Sequence, residues 1–529
     1  MLPHPIHLSP ELPLHFVVES AGGNQISTNY GMPYFAWIAS QYEGCGGICD
    51  LVAYFFRRSF ELLKNGGAQG LIATKTISEG DTRQGSLKFI REGGGDIYDA
   101  IRKRPWPGEA AVVVTTVHVA KALICNNHRL DNRPVSTITS YLLPTGGDDT
   151  PASFLGQNEM FSQGTNPRSP GFIFDDSDDE CSPLAEADRI RQSSPYEASR
   201  ICPYIGGEEV NQSPSQDPSR YIIFLDDIQA EEGLEAFPEL TRIVRSKVKP
   251  GRDNLSDNPN NDKLRKRWWA YHAARDEFYT RIRGKERVLV NSQVSNNVIF
   301  AFQPSDRIFS LTLNIYDRDS YSAFATLQSR VHDIWARLLG SHMKNDLRYT
   351  PSTCFETFPF PPNYDANHDM ESVGIAYYSF RADLMIRNYE GLTTTYNRFH
   401  DPNEDSADIM RLRELHAAMD RVVLDAYGWQ DIQPVCAFFP EFDDEDEEDE
   451  GGRPKKKKYR YRWPDEIHDE VLARLLDLNR QRAFEEGQLL APEQIASATK
   501  GDGSKRGAKK GKRKSPGIDS TAALFGAEE

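Results

Sequence analysis

The chain has 529 residues, with 62 basic and 78 acidic side chains and a formal charge of −16, a length that suits about two to four domains with buried cores. No apolar run approaches the roughly 20 residues of a membrane-crossing helix, and the opening MLPHPIHLSPELPLHF lacks the basic-then-apolar order of a secretory leader. Its seven cysteines (Cys45, Cys49, Cys125, Cys181, Cys202, Cys354, Cys436) are odd in number and scattered, which argues for reduced thiols in a cytoplasmic, soluble protein and against a disulfide framework.

LHFVV (Leu14–Val18) is a short apolar run that predicts a strand buried on both faces. Asp50 then precedes Leu51, Tyr54, Phe55, Phe60 and Leu62 at roughly helical spacing, and Asn65-Gly66-Gly67 stops the run. GLIATKTI (Gly70–Ile77) predicts a second buried strand. DTRQGSLKFIREGGG predicts a helix capped at Asp81 or Thr82 and stopped by Gly93-Gly94-Gly95. IYDAIRKR and EAAVVVTTVHVAK predict two strands joined through Pro105-Trp106-Pro107-Gly108, a hairpin at a sheet edge. Residues 1–125 therefore read as α/β, the back half of a doubly wound, Rossmann-like sheet.

From 126 to 365 the runs FIFDD, YIIFL, RVLVNSQV, VIFAFQ and IFSLTLNIY are separated by Pro, Asn, Asp and Gly clusters, which predicts a mixed α+β domain. Residues 151–200, rich in Ser, Pro, Asp and Gly, are expected to be loop. Between 366 and 430 amphipathic helices return in GIAYYSFRADLMIR and SADIMRLRELHAAMDRVVLDAYG. Residues 431–529 include EFDDEDEEDE (441–450), nine carboxylates in ten residues, and RPKKKKYRYR (453–462), seven basic groups in ten. One helix (PDEIHDEVLARLLDLNRQRAFEEG) and a basic tail containing KRGAKKGKRK follow. Such charge blocks are expected to be solvated and disordered, so net charge says little about what the folded body binds.

No phosphate loop, H-E-x-x-H or G-x-S-x-G elbow occurs. Cys45-GGI-Cys49 lacks the second ligand pair of a zinc site and reads as two structural thiols, so no metal is expected. His118, in an apolar strand, reads as a core histidine. The glycines at 93–95 follow a helix instead of preceding one, so they do not read as a phosphate cradle. From these motifs alone no enzyme class emerges.

A resemblance emerges when longer segments are taken in order: ICDLVAYFFRRSFELLKNGGAQGLIATKTISEGDTR, WPGEAAVVVTTVHVAK, CPYIGGEEVN, LQSRVHDIWARLLGSHMKNDLRYTPSTCFETFPFP, YNRFHDP and RLRELHAAMDRVVLDAYGW. The series resembles the C-terminal half of the large γ-type adenine-N6 DNA methyltransferases. It is most similar to the single-chain type IIG/IIL restriction–modification enzymes of the MmeI-like group, over most of residues 45–430. The resemblance implies the end of a methylase sheet followed by a target-recognition domain. It also implies methyl transfer from S-adenosylmethionine to an adenine flipped out of duplex DNA, because the reacting amine is otherwise held in the stack.

The family's catalytic Asn-Pro-Pro-aromatic loop has no counterpart here. LHFVV continues as Glu19-Ser20-Ala21-Gly22-Gly23-Asn24, and the pair Pro361-Pro362 lies in a different region. The glycine-rich cofactor loop and the family's nuclease domain have no counterpart either, so no catalytic or cofactor-binding residue carries over. The expectation is a truncated enzyme that needs an absent S-adenosylmethionine-binding half for methyl transfer, because LHFVV without neighbouring strands would leave an apolar edge. The alternatives are a specificity subunit recruiting a separate N-terminal methylase or nuclease chain, and an inert product of a decayed gene.

Candidates for contact with double-stranded DNA are the basic clusters near aromatics: Arg102, Lys103 and Arg104 beside Trp106; Lys247, Lys249 and Arg252; and Lys263, Arg265, Lys266 and Arg267 before Trp268-Trp269. Arg287, Asn291, Gln293 and Asn296 are candidate base-reading side chains. For each cluster a solvated surface patch is the competing reading. TFPFP (Thr357–Pro361) with Tyr349 reads as aromatic and proline packing at a domain junction.

Overall fold

The computed structural model describes residues 23–45, 49–105, 113–154, 156–157, 160–343, 346–441 and 458–488. The predicted strand at Leu14–Val18, most of the acidic and basic blocks and the basic tail lie outside them. Helix Leu51–Leu62 starts where its cap predicts: the Asp50 carboxylate accepts the Val52 N–H at 3.2 Å, and Asp50 N–H donates to Thr82 Oγ1 at 3.0 Å. Val52, Ala53, Phe56 and Phe60 form its buried face. Gly66, at φ +80°, turns the chain toward the first sheet.

That sheet comprises β1 (Ala68–Ala73), β2 (Gly95–Pro105), β3 (Val113–Lys121), β4 (His128–Leu130) and β5 (Arg133–Val135), in the order β1-β3-β2-β4-β5. β2 and β3 pair antiparallel, as the hairpin predicts, but not at the expected sheet edge: β3 is also antiparallel to β1 and β2 is parallel to β4, so both hairpin strands are internal. β1 and β2 therefore run the same way on either side of β3. β1 stops at Ala73 and does not reach Ile77, because Lys75–Ser78 closes a tight turn in which Ile77 N–H bonds Thr74 C=O at 3.2 Å.

The predicted second helix spans Gly80–Glu92 with one wider turn at Gln84–Lys88. Gly85 sits there beneath the two thiols: an added Cβ would lie 2.6 Å from Cys45 Sγ and 3.1 Å from Cys49 Sγ. Both cysteines are fully buried. His118 differs from its expected core placement. Its side chain is 37% exposed and lies over Gly70, where an added Cβ would come within 2.5 Å of the imidazole. It occupies a sheet face because Gly70 leaves room above the neighbouring strand.

The next strands are β6 (Phe161–Gln163), β7 (Ile173–Phe174), β8 (Ile201–Ile205), β9 (Arg220–Ile223), β10 (Arg287–Ser292), β11 (Val294–Ser295), β12 (Ala301–Pro304), β13 (Ile308–Phe309) and β14 (Leu313–Tyr316). β12-β10-β14-β6 form an antiparallel sheet. β13-β8-β9-β7 form a mixed one in which β13 is parallel to β8. The stretch 151–200 is not all loop: helix Leu184–Ser193 buries Ala187 and Ile190, and Ser194 caps the turn Pro195–Ala198. Two buried positions in a polar segment make a stripe too sparse for periodicity to reveal.

The largest core is helical. Helices Tyr321–Gln328, Arg330–Leu339, His368–Asn388, Ala407–Ala426 and Asp465–Glu485 gather around Phe324, Trp335, Phe355 and Phe358. The TFPFP segment packs there as expected, with Thr357 Oγ1 accepting Trp335 Nε1–H at 3.1 Å. The basic stretch is partly folded, unlike the solvated tail expected of it. Lys458–Arg462 pairs antiparallel with Ala437–Glu441, and the buried Arg460 bonds Glu441, Asn297 and Asn296. Its high charge hides a two-residue alternation with Tyr459 and Tyr461. Among the described residues no helix is long and apolar enough to cross a membrane.

Candidate nucleic-acid interface

A cation contacts a phosphate only if its donors are not already engaged by the protein. Many of the predicted donors are engaged. Arg102 donates through Nη1 and Nη2 to both oxygens of Asp469 at 2.9 and 2.7 Å, and through Nε to Asp131 at 2.8 Å. Burial opposes its charge, but the Asp469 and Asp131 carboxylates outweigh that and raise its pKa. Lys103 reaches Asp465 at 3.3 Å. Arg102 fastens β2 to helix Asp465–Glu485, and Lys103 pairs with the same helix while its side chain stays 55% exposed. Arg104 is exposed and has no partner among the described residues.

In the second cluster the Lys247 ammonium bonds the Glu180 and Cys181 carbonyls at 3.0 and 2.6 Å, and Lys249 pairs with Asp253 at 2.9 Å. Arg252 is 3% exposed and donates to Pro167 C=O at 2.8 Å. Its Nε has no partner, and burial together with the nearby Arg168 charge lowers its pKa to about 10.

In the third cluster Asn258 caps helix Pro259–Lys266, whose inward residues are Asn261 and Leu264. Lys263 and Lys266 point outward, exposed and without a partner among the described residues. Arg265 bonds Asp257 and Asp262, and Arg267 bonds the Asp226 and Ile228 carbonyls. Trp268 and Trp269, each 2% exposed, belong to a core and do not line a surface loop.

The candidate base readers are also engaged. Arg287 stacks 3.9 Å from the Phe302 ring centroid and 4.2 Å from that of Tyr321, and donates to Asp319 C=O. Asn291, buried in β10, accepts from Asn314 Nδ2 at 3.1 Å and Tyr316 O–H at 3.0 Å. Gln293 donates to Leu311 C=O, and Asn296 accepts from Arg460. Among the described residues Arg104, Lys263 and Lys266 are free, Lys103 and Lys249 hold exposed ion pairs, and the other candidates are engaged by the fold.

Exposed cations also occur outside the predicted clusters: Arg275, Arg283 and Arg348 have no partner among the described residues, and Arg168 has a neutral one, Asn261, at 3.3 Å. They are isolated in sequence, so a search for basic runs passes over them. Only Arg168 carries a local signal, the Asn-Pro turn dipeptide before it.

Among the described residues no group of three metal-ligating side chains occurs. The glycine run at 93–95 is packed and offers no cradle, since a Cβ on Gly95 would meet Ile90 Cγ2 at 2.5 Å and Phe60 Cε2 at 3.0 Å. S-adenosylmethionine therefore finds no seat in these glycines.

Residues 174–362 match the family profile described as MmeI, target recognition domain. The chain carries an MmeI-type target recognition domain. Its fold agrees: the solved type IIL restriction–modification enzyme MmeI superposes with a TM-score of 0.57 at 17% identity, over 84% of this chain and 54% of that one. The chain thus spans about half the length of the MmeI chain it matches. The type IIG restriction endonuclease BpuSI is a more distant match, with a TM-score of 0.28 at 9% identity over 77% of this chain and 53% of that one. No curated protein matches. The matched range contains β8 to β14, the free cations Lys263, Lys266, Arg275, Arg283 and Arg348, and the engaged candidates from Lys247 to Asn296. Arg102, Lys103, Arg104 and Arg168 precede it.

Proposed function

We propose that this chain recognises a specific sequence in double-stranded DNA as part of a restriction–modification enzyme that methylates adenine N6. The match of residues 174–362 to the MmeI target recognition domain carries the reading. The solved MmeI, by its description, is in complex with DNA. Free Lys and Arg side chains on this surface supply the sequence-independent attraction that duplex binding requires.

The parallel pair β1 and β2 flanking antiparallel β3 supports reading the first sheet as the far edge of a doubly wound methylase sheet. On this reading the described residues position DNA, and S-adenosylmethionine binds to a half outside them. When bound there, the cofactor supplies the methyl group.

A second reading, a recognition subunit that docks on a separate methylase or nuclease chain, draws support from the N-terminal helices. Tyr30, Met32 and Trp37 are 57–63% exposed, and among the described residues β1 pairs with β3 alone.

The purified full chain should retain duplex DNA on a filter yet transfer no labelled methyl group from S-adenosylmethionine to unmethylated plasmid. Incorporation above background would overturn the missing-half reading. Failure to retain any duplex would overturn the recognition reading.

A further inference from the structure

An isolated antiparallel bridge joins Asn166 to Ala273, with Asn166 N–H donating to Ala273 C=O at 2.9 Å and Ala273 N–H returning to Asn166 C=O at 3.1 Å. Two residues beyond each bridged residue stands an arginine with a left-handed backbone: Arg168 at φ +52° and Arg275 at φ +67°. L residues other than Asn and Asp enter this region at a cost, and glycine would occupy it freely. Both arginines are exposed.

The surrounding structure enforces both conformations. Asn166 Oδ1 accepts the Arg168 N–H at 2.9 Å, and the intervening Pro167 C=O is held by Arg252 at 2.8 Å. Arg275 C=O accepts the Phe278 and Tyr279 N–H groups at 3.0 and 3.1 Å, which starts helix Asp276–Ile282. Among the described residues neither guanidinium has a carboxylate partner. Arg168 rests on the Asn261 amide, and Arg275 makes no ion pair although Asp276 and Glu277 follow it.

Behind Arg168 lies Arg252, nearly fully buried, with an unpartnered Nε and no acidic partner. Arg252 is thus a buried guanidinium with no acidic partner among the described residues, a charge that an anion held at Arg168 would stabilise.

We propose that Arg168 and Arg275 are a pair of phosphate-contact residues, each taking a backbone phosphodiester of duplex DNA, with Arg252 strengthening the field behind Arg168. The assignment rests on the DNA-recognition reading and adds to it where the sugar–phosphate backbone is held. These contacts position the duplex and carry no sequence preference.

The test measures affinity of the full chain for a short mixed-sequence duplex across a salt series, in wild type, R168G, R275G, the double glycine variant and R168K. Each glycine variant should lower the slope of log K against log salt by ~0.9, and the double variant by roughly twice that. R168K should keep the wild-type slope. Because glycine suits a left-handed backbone, both glycine variants should keep or raise the thermal midpoint, which a merely structural arginine would not allow. An unchanged slope in the double variant, or a fallen midpoint in either single variant, would overturn the assignment while leaving the recognition reading in place. A wild-type chain that binds no duplex would overturn both.

Discussion

Arg102 gives the sharpest test of whether a basic cluster serves the fold or DNA. Its guanidinium meets Asp469, whose side chain is 4% exposed, through two bonds of 2.9 and 2.7 Å, and Asp131 through a third of 2.8 Å. R102A would leave the Asp469 carboxylate buried, with the His468 imidazole Nδ1 at 3.3 Å as a remaining side-chain contact. Stripping one partner from a buried pair costs about 3–5 kcal/mol, whereas replacing both by apolar residues is often neutral. A chain with several cores need not unfold in one step, so the readout is local: amide hydrogen exchange of helix Asp465–Glu485. R102A should lose roughly 3 kcal/mol or more of protection there, and R102M/D469L should recover most of it. If R102A keeps helix protection within about 1 kcal/mol of wild type, the staple is not structural and the reasoning fails.

Three further expectations follow from packing and charge. Gly374 lies against the Tyr321 carbonyl, where an added Cβ would stand 2.3 Å from the oxygen; since backbone cannot rotate aside, G374A should destabilise the helical core by about 1–3 kcal/mol in urea melts. His332 is fully buried and burial lowers its pKa to about 3, so the folded state binds its proton more weakly than the unfolded chain does. Its contribution is complete above about pH 6.5 and should fall by ~1.4 kcal/mol per pH unit below that, a slope that H332Q should reduce. Asp465 has the opposite charge type: despite burial, Lys103 and Arg462 lower its pKa to about 2, so its contribution is present above about pH 4, is lost as pH falls toward 2, and should vanish in D465N when melts are followed through that window.

Local signals made much of the fold legible. The Asp50 cap and Asn65-Gly66-Gly67 stop located helix Leu51–Leu62, and the proline-rich connection placed the β2–β3 hairpin, because both depend on a few adjacent residues. Strand Lys458–Arg462 was hidden by its own charge, and helix Leu184–Ser193 by the small number of apolar residues it buries. The candidate interface was less legible for a different reason. Whether an arginine is free depends on partners that sequence spacing does not show: Asp469 lies 367 positions from Arg102. Composition therefore marked Arg102, Arg265 and Arg267 as readily as Lys263 and Lys266. Arg275 gave no signal at all, since its left-handed backbone arises from the bridge at Ala273 and the helix that starts just beyond it.

On the proposed function, residues 174–362 give this chain a DNA sequence preference. Selection of bound duplexes from a fully randomised pool by the full chain at near-physiological salt, followed by sequencing, tests it most directly. One motif should be enriched, bound at least about 10³-fold more tightly than its scrambled counterpart. Duplexes retained with no common motif, or a ratio near one, would contradict it.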